Sequence, residues 1–215
     1  GAFIKGLDRA GRHCIAVEYD RSVAHSSAVI SDFFAWEWDS RVSTVIGNPP
    51  YLGGKAIASD TKELLGKTLN GHANLYMWFM LRCSRELPDG GELIFIVPRD
   101  FMISTSAILL NQEMYHTGTF THFEEQGDST VFGSFAPNTV IIRWQKGLMT
   151  HCTDDGRGYA VKNGVLSFGD GGGGVLLGSL FDIKVGAVSG NDKVFEHPSG
   201  SAYEIGRASC RERVS

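Results

Sequence analysis

The sequence lacks three features that would each narrow its function: paired cysteines, a long apolar run and a positive net charge. Its cysteines are Cys14, Cys83, Cys152 and Cys210, and none forms a Cys-x-x-Cys pair. This spacing suggests neither a zinc site nor a disulfide framework, and it favours a reduced cytoplasm. The seven histidines are also scattered, so we expect no metal. The longest apolar run, residues 93–97, is far too short to cross a bilayer.

The charge balance limits how the chain can meet nucleic acid. A net charge of −4 over 215 residues excludes binding through a global basic field. Any contact with DNA must come from a local surface or from parts outside this sequence. Hydrophobic residues make up 42% and charged residues 20%, as in soluble globular proteins with one full-sized core.

Apolar runs and amphipathic segments alternate along the first two thirds of the chain. Strands are predicted at residues 13–17, 29–30, 42–47, 92–97, 119–125 and 139–144, and helices at residues 4–10, 21–27, 75–87 and 104–115. We expect the strands at 13–17 and 42–47 to be buried, the polar stretch 53–71 to be mobile, and Asn74 to cap a helix. The alternation predicts an α/β fold with a mostly parallel, doubly wound sheet that ends in an antiparallel pair.

The pattern changes after residue 146. Residues 159–162 and 165–168 flank Asn163-Gly164, which predicts a hairpin with a tight turn. A glycine-rich link at 170–174 precedes a new segment at 176–188. We therefore divide the chain into a catalytic domain, a linking hairpin with the start of another domain, and a terminal stretch: residues 1–147, 148–203 and 204–215.

Chemically suggestive residues follow three predicted strands. Asn48-Pro49-Pro50-Tyr51 follows the strand at 42–47 and supplies an amide, a rigidly held backbone carbonyl and a flat ring. Together these groups can hold an exocyclic amino group and stack on the base that carries it. Because ligands lie at the carboxyl ends of the strands in such sheets, we expect these residues to share a site with Glu18 and Asp32-Phe33. Glu18 can accept ribose hydroxyls, and Asp32 can accept an adenine amino group.

Each of these groups has a simpler interpretation on its own. Acidic residues at strand ends are commonly solvated or cap a helix, and Asn-Pro-Pro can be an ordinary turn. The order in which they occur, each after a strand, favours the functional interpretation.

With these motifs, the chain resembles the catalytic domain of the TaqI-like amino-group DNA methyltransferases. The resemblance runs from Gly1 to about Pro198 and includes Asn74-Leu75-Tyr76 and Val131-Phe132. It implies a Rossmann-like class I methyltransferase fold, the cofactor S-adenosylmethionine, double-stranded DNA as a partner, and a target-recognition domain that begins after residue 148.

The resemblance also implies roles for individual residues. For the cofactor these are Glu18 at the ribose, Asp32 and Phe33 at the adenine, Tyr19 and Pro50 along the pocket, and Gly1, Ala2 and Phe3 as the remnant of a glycine loop. For catalysis they are Asn48 and the Pro49 carbonyl at the target amine, beside Pro50, with Tyr51 and Phe132 on either side of a flipped-out adenine.

Both ends of the sequence carry expectations of their own. The strand that precedes a glycine loop in this family has no counterpart before Gly1, so we expect the first strand to be missing. Residues 204–215 resemble a translated sequencing adapter, and we expect them to lie outside the native fold.

Other substrates remain open at this point. Release-factor methyltransferases use the same tetrapeptide on a glutamine amide, and an RNA amine is a third possibility. A non-catalytic DNA-binding subunit is the alternative outside enzymes. A role in restriction–modification or phage defence, with a nuclease fused or encoded nearby, rests on the family analogy.

Overall fold

The computed structural model describes residues 2–69, 71–126 and 138–169. All of them lie in the first of two compact units, Gly1–Gly172. The helices are α1 (Ala2–Arg9), α2 (Ser59–Leu65), α3 (Leu75–Glu86) and α4 (Ile108–Thr117), and the strands are β1 (Val17–Glu18), β2 (Val29–Ile30), β3 (Thr44–Gly47), β4 (Glu92–Pro98), β5 (Gly118–Glu125), β6 (Thr139–Lys146), β7 (Tyr159–Lys162) and β8 (Val165–Phe168).

The strands form a central sheet and two smaller pairs. The central sheet has the order β3-β4-β6-β5, with β3 parallel to β4 and β6 antiparallel to both of its neighbours. β1 and β2 form a separate parallel pair, and β7 and β8 form an antiparallel hairpin. Parallel pairs followed by an antiparallel end confirm the predicted α/β class.

The core lies between the central sheet and α3. Along β4 every second side chain is buried, and Leu93 and Phe95 lie opposite Trp144 and Ile142 of β6. These cross-strand pairs bury one face of the sheet, as the period of two requires. Eight of the twelve residues of α3 are buried, so this helix is enclosed rather than amphipathic. The residue after its last turn, Leu87, has an extended backbone, which is the conformation that the following proline favours.

The hairpin packs on α4 through one buried amide. Asn111 of α4 is fully buried, and its Nδ2 donates to the carbonyls of Phe101, Met102 and Gly164. Asn163 and Gly164 have φ angles of 52° and 79°, so the tight Asn-Gly turn is confirmed. The proposed division into three domains stays a prediction.

Three local predictions were wrong. Residues 21–27 form turns instead of a helix, because Asp20 Oδ1 accepts from both the amide and the hydroxyl of Ser22. The strands predicted at 13–17 and 42–47 begin only at Val17 and Thr44, and neither segment is buried, since Ile15 is 38% and Ile46 37% exposed. The polar stretch 53–71, for which no helix was predicted, contains α2.

Other elements differ mainly at their ends. The predicted helix 104–115 begins as a 3₁₀ turn, Thr105–Ala107, and continues as α4 to Thr117. Asn74 precedes α3 as expected, yet its side chain makes no capping hydrogen bond. The predicted features at residues 1, 128–137, 170–174, 176–188 and 204–215 lie outside the described residues. Within the described ranges, no helix is long and apolar enough to cross a membrane.

Candidate functional site at the strand ends

The Asn-Pro-Pro-Tyr loop leaves the central sheet at the end of β3. Gly47 is the last residue of β3 and lies opposite Phe95 of β4. Pro49 is buried, whereas Asn48 and Pro50 are exposed. The buried proline fixes the backbone between an amide and a ring that solvent can reach.

Tyr51 turns back over this loop. Its hydroxyl lies 2.6 Å from Asn48 Oδ1 and 3.0 Å from the carbonyl oxygen of Ile96, and both oxygens are acceptors. Ile96 is one residue past the last β3–β4 pair, so its level of the sheet has no partner on β3. Partial burial raises the pKa of Tyr51, which keeps the hydroxyl protonated at neutral pH.

The ring of Tyr51 packs against Tyr76 of α3. The two rings meet edge to face, with centroids 5.9 Å apart and planes at 81°. Tyr76 is fully buried, and its hydroxyl donates to Asp100 Oδ1 at 2.7 Å. Burial, reinforced by Asp100, strongly raises the pKa of Tyr76. Asp100 was missed by sequence reasoning, although its position just after β4 at a strand end was a usable signal.

The loop after Tyr51 is fastened to the start of α3. The Leu52 carbonyl accepts the Leu75 amide at 2.8 Å, which satisfies one of the free amides of the first helical turn. Gly54 lies so close to the Gly71 carbonyl that an added Cβ would come within 2.2 Å of that oxygen. The tetrapeptide is therefore held between the sheet and the beginning of α3.

Glu18 and Asp32 lie at the same end of the β1–β2 pair. Glu18 is paired with Ile30, and Asp32 follows two residues later. Glu18 is half-buried, and its Oε1 accepts the Asp20 amide at 3.1 Å. Tyr19 beside it is 58% exposed.

The Asp32 loop is bound to two helices. Asp32 Oδ1 accepts the Phe34 amide at 2.7 Å, and Oδ2 accepts the hydroxyl of Thr61 in α2. The Phe33 ring stacks on Phe79 of α3, with centroids 4.5 Å apart and planes at 10°. The Arg82 guanidinium lies 5.0 Å from the centroid of the same ring.

Arg82 also joins this loop to α3 through hydrogen bonds. It donates to the carbonyl of Phe33, and its second terminal nitrogen donates to the carbonyl of Trp36 at 2.5 Å. Desolvation lowers the pKa of Arg82, as expected for a guanidinium withdrawn from water. Thr61 and Arg82 were not anticipated, because both act on residues that are far away in the sequence.

The structure thus brings the predicted residues together in two groups. Asn48 and Tyr51 are in direct contact at the end of β3. Glu18 and the Asp32-Phe33 pair lie at the end of β1 and β2. Thr61 of α2, the helix that follows the tetrapeptide, donates a hydrogen bond to Asp32 of this group.

The remaining predicted residues belong to neither group. Ala2 and Phe3 begin α1, where Phe3 is 40% exposed, and in the described part of the chain no hydrogen bond or ring contact links Phe3 to the others. Gly1 and Phe132 lie outside the described residues. The individual roles of all these residues stay predictions. Across residues 2–69, 71–126 and 138–169, no cluster of three or more His, Cys, Asp or Glu side chains is arranged to hold a metal ion.

Comparison with known proteins shows that the sequence of this chain matches a protein family. The sequence model of the Eco57I restriction-modification methylase family matches residues 12–132. The type II methyltransferase M.TthHB8I of Thermus thermophilus is 29% identical over 164 residues, which cover 68% of this chain and 38% of that protein. The adenine-specific methyltransferase BrxX of Escherichia coli is 27% identical over 142 residues, which cover 65% of this chain and 11% of that protein.

A solved structure supports the same fold. A Listeria monocytogenes protein described as a class I S-adenosylmethionine-dependent methyltransferase superposes with a TM-score of 0.53 at 18% identity, over 66% of this chain and 48% of that one. The fold is therefore that of the class I methyltransferases. The chain spans well under half the length of the two curated relatives. Because the family match covers more than half of its residues, the chain belongs to the Eco57I restriction-modification methylase family.

Proposed function

We propose that this chain is the catalytic region of a site-specific DNA methyltransferase that transfers a methyl group from S-adenosylmethionine to the N6 amino group of a flipped-out adenine. The observation that carries the proposal is the arrangement of Asn48, Pro49 and Tyr51 at the end of β3. There the exposed residue Asn48 precedes the buried Pro49, and the Tyr51 hydroxyl donates to Asn48 Oδ1 at 2.6 Å. Family membership supports the same reaction class.

The chemistry required of Asn48 and Pro49 follows from the nature of an aromatic amine. The nitrogen of such an amine is a weak nucleophile, because its lone pair is delocalised into the ring. Asn48 Oδ1 and the Pro49 carbonyl can each accept one of its hydrogens. These two acceptors draw the nitrogen toward tetrahedral geometry and localise the lone pair. Positioning and fixed dipoles therefore supply the catalysis, and no nucleophilic triad is required.

The residues at the end of β1 and β2 fit an adenosyl cofactor. Glu18 is half-buried, and among the described residues only its Oε1 accepts a hydrogen bond, from the Asp20 amide, so acceptor capacity remains for ribose hydroxyls. Each Asp32 oxygen accepts one hydrogen bond and has capacity for another, here for an adenine amine. Tyr19 and Pro50 are exposed and can line the same pocket. When bound, S-adenosylmethionine supplies an activated methyl group on a sulfonium sulfur.

Phe33 is expected to contact the cofactor adenine, but the packing of its ring leaves less room for this role. Its ring already packs against Phe79 and Arg82. We assign to Phe33 the support of the Asp32 loop, where its ring also contacts Phe34 and Trp38.

DNA is the proposed substrate because the residues around Asn48 suit a base that has left the duplex. An adenine inside the double helix cannot present its amino group, so it must be flipped out. The Tyr51 ring can replace part of the lost stacking, with Phe132 assigned to the opposite face. The curated relatives are named as type II and adenine-specific methyltransferases, which favours adenine and a restriction–modification role, with a nuclease fused or encoded nearby.

A methyl-transfer assay tests the proposal. The complete reading frame that contains this chain is incubated with labelled S-adenosylmethionine and, separately, with unmethylated plasmid, release factor and RNA. Label in DNA adenine is the expected result. Asn48→Ala should reduce it by at least about a hundredfold, the scale of losing one preorganised acceptor at a reacting group.

Gln112→Ala serves as the matched control, because it removes an amide from α4, away from the strand ends. It should leave the transfer rate within about twofold, as surface changes outside the site usually do. Label confined to release factor or RNA would move the substrate to that class. Cofactor binding without any transfer would instead indicate a non-catalytic DNA-binding subunit.

A further inference from the structure

The Tyr51 hydroxyl has one proton and two acceptors. Asn48 Oδ1 at 2.6 Å and the Ile96 carbonyl at 3.0 Å are both within hydrogen-bond distance of the same phenolic oxygen. A phenol donates only one hydrogen bond at a time. The shorter contact is to Asn48, so the hydroxyl engages the oxygen that the proposed reaction requires for the target amine.

The surroundings of Tyr51 limit the ways in which this contact can be released. The ring rests edge-on against the fully buried Tyr76, which is itself held by Asp100. Ring movement is therefore restricted. Rotation of the O–H bond is not, because it only redirects the proton from Asn48 Oδ1 to the Ile96 carbonyl. Ile96 lies one residue beyond the last β3–β4 pair, whereas its pairing with Ile141 of β6 continues.

We propose that the Tyr51 hydroxyl is a placeholder for the target amine on Asn48. Before the base arrives, the hydroxyl donates to Asn48 Oδ1 and holds the amide with its oxygen turned toward the site. Asn48 Oδ1 has two lone pairs, so the placeholder role requires that the amine approach along the one that the hydroxyl occupies. The Tyr51 proton then turns to the Ile96 carbonyl, and no covalent bond changes. This inference rests on the proposed function of Asn48, and it adds a specific role for the hydroxyl apart from stacking by the ring.

The placeholder has a measurable consequence for recognition. In the wild-type protein the amine exchanges one hydrogen bond on Asn48 Oδ1 for another, so this contact adds little net affinity beyond the one that the amine makes with the Pro49 carbonyl. In Tyr51→Phe the ring remains but the hydroxyl is gone. The amine then gains a contact with an Asn48 oxygen that has no competing donor. Discrimination between a base with and without the amino group should therefore rise when the hydroxyl is removed.

The experiment compares two DNA duplexes at the mapped recognition site, one with adenine and one with unsubstituted purine at the target position. Dissociation constants are measured on the complete protein with S-adenosylhomocysteine, which prevents turnover. The ratio of the purine to the adenine dissociation constant should be about three to ten times higher in Tyr51→Phe than in wild type, the worth of one net hydrogen bond. Differences in duplex stability cancel, because every variant meets the same two duplexes.

Two controls separate the placeholder from a general effect of the substitution. Tyr115→Phe makes the same chemical change on α4, where Tyr115 stacks on His151, and it should leave the ratio unchanged. In an Asn48→Ala background, Tyr51→Phe should no longer raise the ratio, because the contested oxygen is gone. An unchanged ratio in Tyr51→Phe, or a rise that persists without Asn48, overturns the inference.

Failure of the inference remains distinct from failure of the proposed function. A wild-type protein that methylates DNA while Tyr51→Phe leaves the ratio unchanged refutes only the placeholder. If the wild type methylates a protein amide or an RNA amine instead, the same comparison applies to that group and its analogue without the N–H donors. If Tyr51→Phe does not fold, 3,5-difluorotyrosine at position 51 replaces it. At a pH low enough to keep this more acidic phenol protonated, its hydroxyl is the stronger donor, so the ratio should fall below the wild-type value, and a ratio equal to wild type overturns the inference.

Discussion

A single backbone oxygen sets how closely the Asn-Pro-Pro-Tyr loop can approach α3. Gly54 lies against the Gly71 carbonyl, with room for a hydrogen but not for a methyl group. Two residues earlier, Leu52 accepts the Leu75 amide. Together these contacts place the end of the tetrapeptide at the first turn of α3. The position of the loop that follows Tyr51 is therefore fixed relative to α3.

Gly54→Ala tests the attachment. A Cβ there would lie 2.2 Å from the Gly71 oxygen, so the loop or the segment before α3 must shift. We expect a loss of about 1–3 kcal/mol in the free energy of unfolding, as for other overpacked positions, together with slower methyl transfer. Denaturant unfolding and the transfer assay provide the two measurements.

Gly53→Ala is the matched control for this substitution. A Cβ on Gly53 meets nothing within 4 Å, so stability should change by less than about 0.5 kcal/mol. Equal losses for the two variants would show that the close approach to Gly71 does not hold the loop.

At this scale the sequence predicts motifs better than it predicts their partners. The proximity of Asn48 and Tyr51 is encoded by their spacing in one tetrapeptide. The contact between Tyr76 and Asp100 joins residues 24 positions apart, and it depends on how α3 packs against the end of β4. Nothing in the local pattern specifies that packing, so the support beneath Tyr51 emerges only from the structure.

Among the elements, α3 connects the two groups of site residues. Tyr76 supports Tyr51, whereas Phe79 and Arg82 hold the loop that carries Asp32. These residues are three positions apart in the helix and therefore follow one another along neighbouring turns. The position of α3 thus sets the positions of both groups.

Arg82→Met tests the second of these connections. It removes the donors to the Phe33 and Trp36 carbonyls in a partly buried place, where a charged donor is worth about 1.5–3 kcal/mol. We expect a loss of stability on that scale and weaker cofactor binding, measured by denaturant unfolding and calorimetry.

Arg85→Met on the same helix is the comparison. Arg85 forms an ion pair with Glu113 in which the Arg85 side chain is 47% exposed. Such surface pairs contribute about 0–1 kcal/mol, so this variant should stay close to wild type. If both variants lose the same stability, Arg82 does not hold the Asp32 loop.

The helices show where sequence patterns succeed and fail. α3 was predicted because a dense apolar segment is bounded by Asn74 and by Leu87-Pro88. α2 was missed because only Thr61 among its residues is buried, so it carries no apolar stripe. The false helix at 21–27 arose because a polar segment with helix-compatible residues was stopped locally by the Asp20 side chain. Side-chain hydrogen bonds of this kind have no periodicity to reveal them.

For the molecule as a whole, the buried apolar residues are unevenly distributed. Within the described ranges, apart from Pro49, every buried apolar side chain lies at Ile57 or later in the sequence. The part that carries Glu18 and Asp32 contributes only partly buried side chains, among them Phe33 and Trp38. Its strands, β1 and β2, are two residues long. Asn48 and Tyr51, which we call the Asn48 group, are therefore positioned by the stable core. Glu18, Asp32 and Phe33, which we call the Glu18 group, lie at the edge of that core.

Hydrogen exchange measured on this 215-residue chain tests that asymmetry. Amides of α3, β4 and β6 should exchange at least about a hundred times more slowly than those of β1 and β2, because local opening is least costly where few apolar contacts must be broken. Arg82→Met should accelerate exchange near Trp36 without changing exchange in β6, since it releases the loop and leaves the sheet intact. If the amides of β1 and β2 are as well protected as those of α3, β4 and β6, the Glu18 group does not depend on the few contacts, such as those of Thr61 and Arg82, that hold it against the core. The expected gradient would mean that the part carrying Glu18 and Asp32, which we propose to bind the cofactor, opens more readily than the sheet that carries Asn48.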